Sequence, residues 1–145
     1  MQDLYHFIEA NSYPNKNKQY RMLYLLPNMS KPDFTFNDIV LLYKLHYGAS
    51  GGGLILCNVF KEIMAIFPQI VSINTKPVTY FSRKEGKDIT TEQMLFTINQ
   101  NTLSMLLTEL DRLFAEIDFR GKNPTERKQL MKIAVERLRG FIYPL

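Results

Sequence analysis

A helical chain interrupted by one β-hairpin has few ways to fold, and this sequence reads as such a chain. Val78 to Arg83 is β-branched and aromatic, Lys84-Glu85-Gly86-Lys87-Asp88 is a polar stretch with a glycine, and Met94-Leu95-Phe96-Thr97-Ile98 alternates along its length. That pattern predicts a hairpin with a long basic tip. Two strands alone are marginal in water, so the hairpin has to lean on the helices around it.

The flanking segments carry helical spacing. Asp3 to Ala10 predicts a short helix closed by Asn11, Ser12, Pro14 and Asn15, and Gln19 to Leu26 a second, stopped by Pro27 and Asn28. Thr35 with Asp38 three residues on predicts a capped start, after which Phe36, Ile39, Val40, Leu42, Tyr43 and Leu45 share a face. The glycine-rich run from Gly48 to Gly53 ends that helix. The next turns Leu56, Val59, Phe60, Ile63, Met64 and Phe67 inward and stops near Pro68. Gln69 to Thr75 reads equally as a short helix beginning at Pro68 or as an extended piece. Beyond the hairpin, Leu103, Leu106, Leu107, Leu110, Leu113, Phe114 and Ile117 form the cleanest stripe in the chain. A last helix opens on Asn123 as N-cap, with Pro124 at its first position and Glu126 completing a capping box, and runs through Leu130, Ile133, Ala134, Leu138 and Ile142.

This order predicts a mainly α protein with one β-hairpin (α+β): a winged helix-turn-helix with N- and C-terminal dimerisation helices. The expected organisation is one domain over 1–145, with a winged-helix core at 34–101 and helical dimerisation elements at 1–30 and 102–145. With 145 residues, 46% of them hydrophobic, the chain is long enough to form its own core.

Charge bears on partners. Lys and Arg number 18 against 14 Asp and Glu, a net +4. The cations gather at Lys16, Lys18 and Arg21, at Arg83, Lys84 and Lys87, and through the C-terminal quarter from Arg120 to Arg139. The stretch from Asp33 to Phe67 is nearly neutral. Basic extremities around a neutral middle suit a polyanion, although solvated helix faces look the same. No apolar run approaches the ~20 residues that span a bilayer, and the first residues lack the basic and apolar regions of a signal peptide. With the single Cys57, these features predict a cytoplasmic protein without a membrane partner.

From Phe34 to Ile142 the chain resembles the MarR/SarA-type winged-helix regulators. Phe34-Thr35-Phe36-Asn37-Asp38-Ile39-Val40-Leu41-Leu42 is similar to the family's helix opening. Leu56 to Ile66 falls where the first helix of the helix-turn-helix lies, and Pro68 to Ile73 where the recognition helix begins. Tyr80 to Lys84 and Met94 to Asn99 look like the wing strands, and Asn123-Pro124-Thr125-Glu126-Arg127 like the start of the last dimerisation helix. Three features depart from the pattern. The tip lacks the family's Asp-x-Arg, Pro77 interrupts the expected recognition helix, and a triple glycine precedes the helix-turn-helix.

The candidate sites follow. Arg83, Lys84 and Lys87 are placed to hold phosphates. Gln69, Ser72, Asn74, Thr75 and Lys76 include the side-chain types that read base edges. A solvated hairpin end and an ordinary loop would show the same residues. Leu106, Leu110, Leu113, Ile133, Leu138 and Ile142 offer more apolar face than one small winged helix can cover, which predicts a dimer interface.

Other motifs carry less. The glycine run lacks the Lys-Ser/Thr ending and the preceding strand of a phosphate loop. Cys57 has only Lys61, one turn on, to favour its thiolate, so a redox-sensing role is weakly supported. His6 and His46 have no second ligand at helical spacing, so no metal or other cofactor is expected. No nucleophile–base set can be assembled, so no enzyme activity is expected either. The leading expectation is a homodimeric, sequence-specific double-stranded-DNA-binding regulator of transcription. A plasmid- or phage-type replication or partition factor, and a helical adaptor that binds protein and no nucleic acid, are the alternatives.

Overall fold

The computed structural model describes residues 2–12, 17–48 and 52–142. Lys16, Pro14, Asn15 and the Ala49–Gly51 part of the glycine run lie outside the described residues. The elements in order are α1 (Gln2–Asn11), α2 (Lys18–Leu25), β1 (Asp33–Phe34), α3 (Phe36–Tyr47), α4 (Gly53–Ile66), β2 (Val71–Ser82), β3 (Lys87–Ile98), α5 (Gln100–Glu116) and α6 (Pro124–Ile142). The architecture is mostly helical with a small antiparallel sheet of order β1-β3-β2. Asp33-Phe34 is too short to show strand character in sequence. It pairs with Thr97 and Phe96 and makes the hairpin the larger part of a three-stranded sheet.

Local signals place the helix ends. Thr35 Oγ1 accepts from the Asp38 amide (3.3 Å) and the Asp38 carboxylate accepts from the Thr35 amide (3.0 Å), closing a capping box at α3. That backbone bond, more than the Lys31 ammonium beside it, holds the Asp38 carboxyl below its usual range. At α6, Asn123 Oδ1 accepts from the Glu126 amide (2.8 Å). Glu126 answers the Asn123 side-chain amide (2.6 Å) instead of its backbone.

One buried cluster runs from Leu4 to Leu138. At its sheet end, Phe34, Phe36, Phe60 and Phe96 stack edge-on or tilted, with centroids 4.7 to 6.0 Å apart. These rings tie β1, α3, α4 and β3 together. At the helical end, α2 is pinned to α5 because both the Tyr20 and Tyr24 hydroxyls donate to Asp111. Arg137 of α6 reaches Glu109 and Glu116 of α5, each at 2.7 Å.

The apolar stripe expected to lie between two copies is covered within one chain. Leu106, Leu110, Leu113 and Leu138 are fully buried in the cluster. The cover comes from within the chain: α5 packs against α6 and the Leu26–Asn28 turn, α1 packs against α6, and Tyr20 of α2 lies against Phe114 of α5. Of the interface set, only Ile133 is exposed, and Ile142 packs partly buried against the core. Among the described residues no helix is long and apolar enough to cross a membrane.

Candidate nucleic-acid interface

β2 and β3 are each 12 residues long and paired in unbroken register from Val71↔Ile98 to Ser82↔Lys87. The segment expected as a recognition helix is therefore strand. Ser72, Asn74, Thr75 and Lys76 lie on β2 opposite Thr97, Leu95, Met94 and Gln93. Pro77 continues the strand opposite Glu92. It is tolerated because β2 is an edge of the sheet, where a missing N–H leaves no ladder broken on its outer side. Gln69 precedes the strand and belongs to the body, since its carbonyl accepts from Asn99 Nδ2 (2.6 Å).

Of the consecutive helix pairs α1–α2, α3–α4 and α5–α6, the one that directly precedes the hairpin ends in α4. Its exposed residues include Leu54, Ile55, Asn58, Lys61, Glu62 and Ala65. Lys61 lies over the Phe36 ring, 5.4 Å from its centroid, and Glu62 accepts from Gln19 (2.7 Å). Little of that surface is chemistry for phosphates or bases. Cys57 is half-buried on the same helix, and Lys61, one turn on, is directed at Phe36.

Side chains alternate across a strand, so the register sorts the hairpin into two faces. The core-side face begins with buried Val71, Phe96 and Ile98, then carries Ile73, Thr75, Met94, Pro77, Glu92, Thr79, Thr90, Phe81 and Asp88. The outer face carries Ser72, Thr97, Asn74, Leu95, Lys76, Gln93, Val78, Thr91, Tyr80, Ile89, Ser82 and Lys87. Both strand carboxylates, Asp88 and Glu92, fall on the core-side face. Both strand cations, Lys76 and Lys87, fall on the outer face with Asn74 and Gln93.

Beyond the base the hairpin is an arm. From Asn74 to Ser82, at about 3.3 Å per residue, it extends about 26 Å. Phe81 is 62% exposed, Ile73 56%, Tyr80 50% and Met94 43%, so both faces are open. At the tip Gly86 has φ +66, a left-handed conformation suited to glycine, and its amide donates to the Ser82 carbonyl (2.7 Å). That turn presents Arg83, Lys84 and Lys87, all exposed.

The basic groups differ in their partners. Arg120 is bound by Asp118, Arg137 by Glu109 and Glu116, and Arg139 by Glu136. The Arg120 side chain, with its amide, holds the Asp118 carboxyl below its usual range. Among the described residues, no ion pair holds Lys76, Arg83, Lys84 or Lys87. Apart from Gln69, the residues expected to meet DNA thus come together on one hairpin. Gln93 and Thr91, which the sequence reading does not include, share the outer face with Ser72, Asn74, Lys76 and Lys87, whereas Thr75 lies on the core-side face, away from them. The spacing Lys87, Ile89, Thr91, Gln93, Leu95 was the available signal, and it becomes readable only once the turn fixes the register.

Among the described residues no group of three or more His, Cys, Asp or Glu is placed to hold a metal ion. No family model, no curated protein and no solved structure matches this chain.

Proposed function

We propose that the chain is a duplex-DNA-binding protein of winged-helix layout, with the long β2–β3 hairpin as its DNA-contacting element. The observation that carries this reading is the sorting of charge on the arm. Its outer face bears Lys76, Lys87, Asn74 and Gln93 with no carboxylate, and it leads to a tip bearing Arg83 and Lys84. A two-stranded ribbon fits the major groove of B-DNA, and several DNA-binding folds read bases with strands. Asn and Gln can pair with adenine and Lys with guanine, whereas tip cations hold phosphates and set the register. The order helix, strand, helix, helix, hairpin supports the winged-helix layout. The resemblance to MarR/SarA-type regulators makes control of transcription the task we assign to the binding.

The test is affinity for random duplex DNA across a salt series. Wild type should bind at low salt and weaken steeply as salt rises, because each phosphate contact releases a counterion. Arg83→Ala with Lys84→Ala should lower the slope of log affinity against log salt by roughly one to two. No binding at low salt, or an unchanged slope in the double variant, contradicts the proposal.

A further inference from the structure

With the outer face assigned to DNA by the reading above, the core-side face of the arm is left without an assigned partner. Its two carboxylates would repel phosphates, and its exposed Phe81, Ile73 and Met94 continue the side of the hairpin that at its base packs in the core. A second surface of the same chain has the opposite character. Between α1 and α6 lies a groove of about 390 Å³, with Tyr5, Pro124 and Met131 as its apolar part. Arg127, Lys128 and Lys132 supply its charge against the single carboxylate of Glu9. Arg127 is partly engaged, donating to the Phe119 carbonyl (3.3 Å), but Lys128 and Lys132 are exposed one turn apart on α6.

We propose that two copies of this chain exchange arms, the acidic and apolar face of each hairpin lying in the basic groove between α1 and α6 of the other. Apolar side chains meet apolar walls, and Asp88 and Glu92 lie along the cationic wall that Lys128 and Lys132 form. Each copy supplies one arm and one groove, so a twofold axis satisfies both surfaces at once and the assembly closes as a dimer. A hairpin wetted on both faces is marginal, and covering one face stabilises it. The outer face, with Lys76 and Lys87, stays free in the dimer. Self-association of this kind does not depend on DNA binding.

Sedimentation without DNA tests it, using two charge-reversed variants, Asp88→Lys/Glu92→Lys and Lys128→Glu/Lys132→Glu. All four positions are exposed, so circular-dichroism melts should show both variants folded. Wild type should be a dimer, and each variant alone should associate about tenfold more weakly or worse, because like charges then face each other. Mixed in equal amounts, the variants should recover the dimer, since each reversed arm meets a reversed groove and each native arm a native groove. A monomeric wild type overturns the proposal. So do variants that dimerise like wild type, which would point to another face such as exposed Leu41, Leu45 and Leu54 on α3 and α4. A mixture that stays monomeric overturns it too, because the residues would then matter without being partners.

Discussion

The two ends of the β2–β3 hairpin share one register and obey different rules. At the base, Phe96 touches the rings of Phe34, Phe36 and Phe60, and Val71 and Ile98 are buried with it. Asn99 binds across to the Gln69 and Ile70 carbonyls (2.6 and 2.8 Å), and Thr97 donates to Asp33 (2.6 Å). Along the arm the strand partners supply the ladder, and one side-chain link, between the Thr79 and Thr90 hydroxyls (2.9 Å), crosses it. The base is chosen for packing. The arm has no such constraint, so its side chains are available for contact with other molecules.

That contrast can be broken at its strong end first. Phe96→Ala should cost about 3–5 kcal/mol, as truncation of a fully buried ring does, and chemical denaturation reads it. A loss under about 1 kcal/mol would mean the base is not anchored by the ring cluster.

Reading of bases should stop where the arm stops. Binding-site selection on Asn74→Ala should lose preference at one or two positions, worth about 1–3 kcal/mol of discrimination. Gln69→Ala, altered in the body, should select the wild-type motif. The reverse result would return base reading to the segment ahead of β2.

A smaller effect belongs to the body alone. Burial first, then the Asp111 carboxylate, push the Tyr24 hydroxyl up to about 12; burial, then bonds to Tyr24 and Asp111, raise Tyr20 as well. The folded chain holds these protons more tightly than the unfolded one, whose tyrosines titrate near 10. Their stabilisation is thus complete below pH ~10 and is lost as pH rises from there through ~12. Denaturant midpoints should fall over that window, and Tyr20→Phe/Tyr24→Phe should flatten the fall. An equally steep fall in the double variant would assign it elsewhere. Smallest of all, Phe81→Ala on the arm should move monomer stability by no more than about 0.5 kcal/mol, although the same ring type is lost as at Phe96. A cost near that of Phe96 in the monomer would mean the arm is packed against its own chain.

The same contrast explains what could be read in the sequence. Helices α3, α5 and α6 announce themselves because each must bury a stripe, and Thr35-Asp38 and Asn123-Glu126 mark their starts. The base of β3 is legible because Phe96 and Ile98 alternate into the core. The arm is not, because alternation appears only where one face is buried. Asn74-Thr75-Lys76 and Asp88 to Gln93 show no period, and Pro77 argues against a strand that the edge position in fact permits. The apolar stripe of α5 is legible as a stripe, but the expectation that a second copy covers Leu106, Leu110 and Leu113 does not hold, since they are buried within one chain. What covers the stripe, chiefly α6 and the Leu26–Asn28 turn, depends on tertiary packing that no local pattern shows.

The central claim is that the arm binds DNA and the body only holds it. Joining Asn74 to Leu95 through an Asn-Gly turn removes the arm at a paired rung and keeps the base intact. The shortened chain should unfold cooperatively near the wild-type midpoint and show no salt-dependent binding to duplex DNA under conditions where the full chain binds. A folded, shortened chain that binds duplex with wild-type affinity and salt slope would contradict the account.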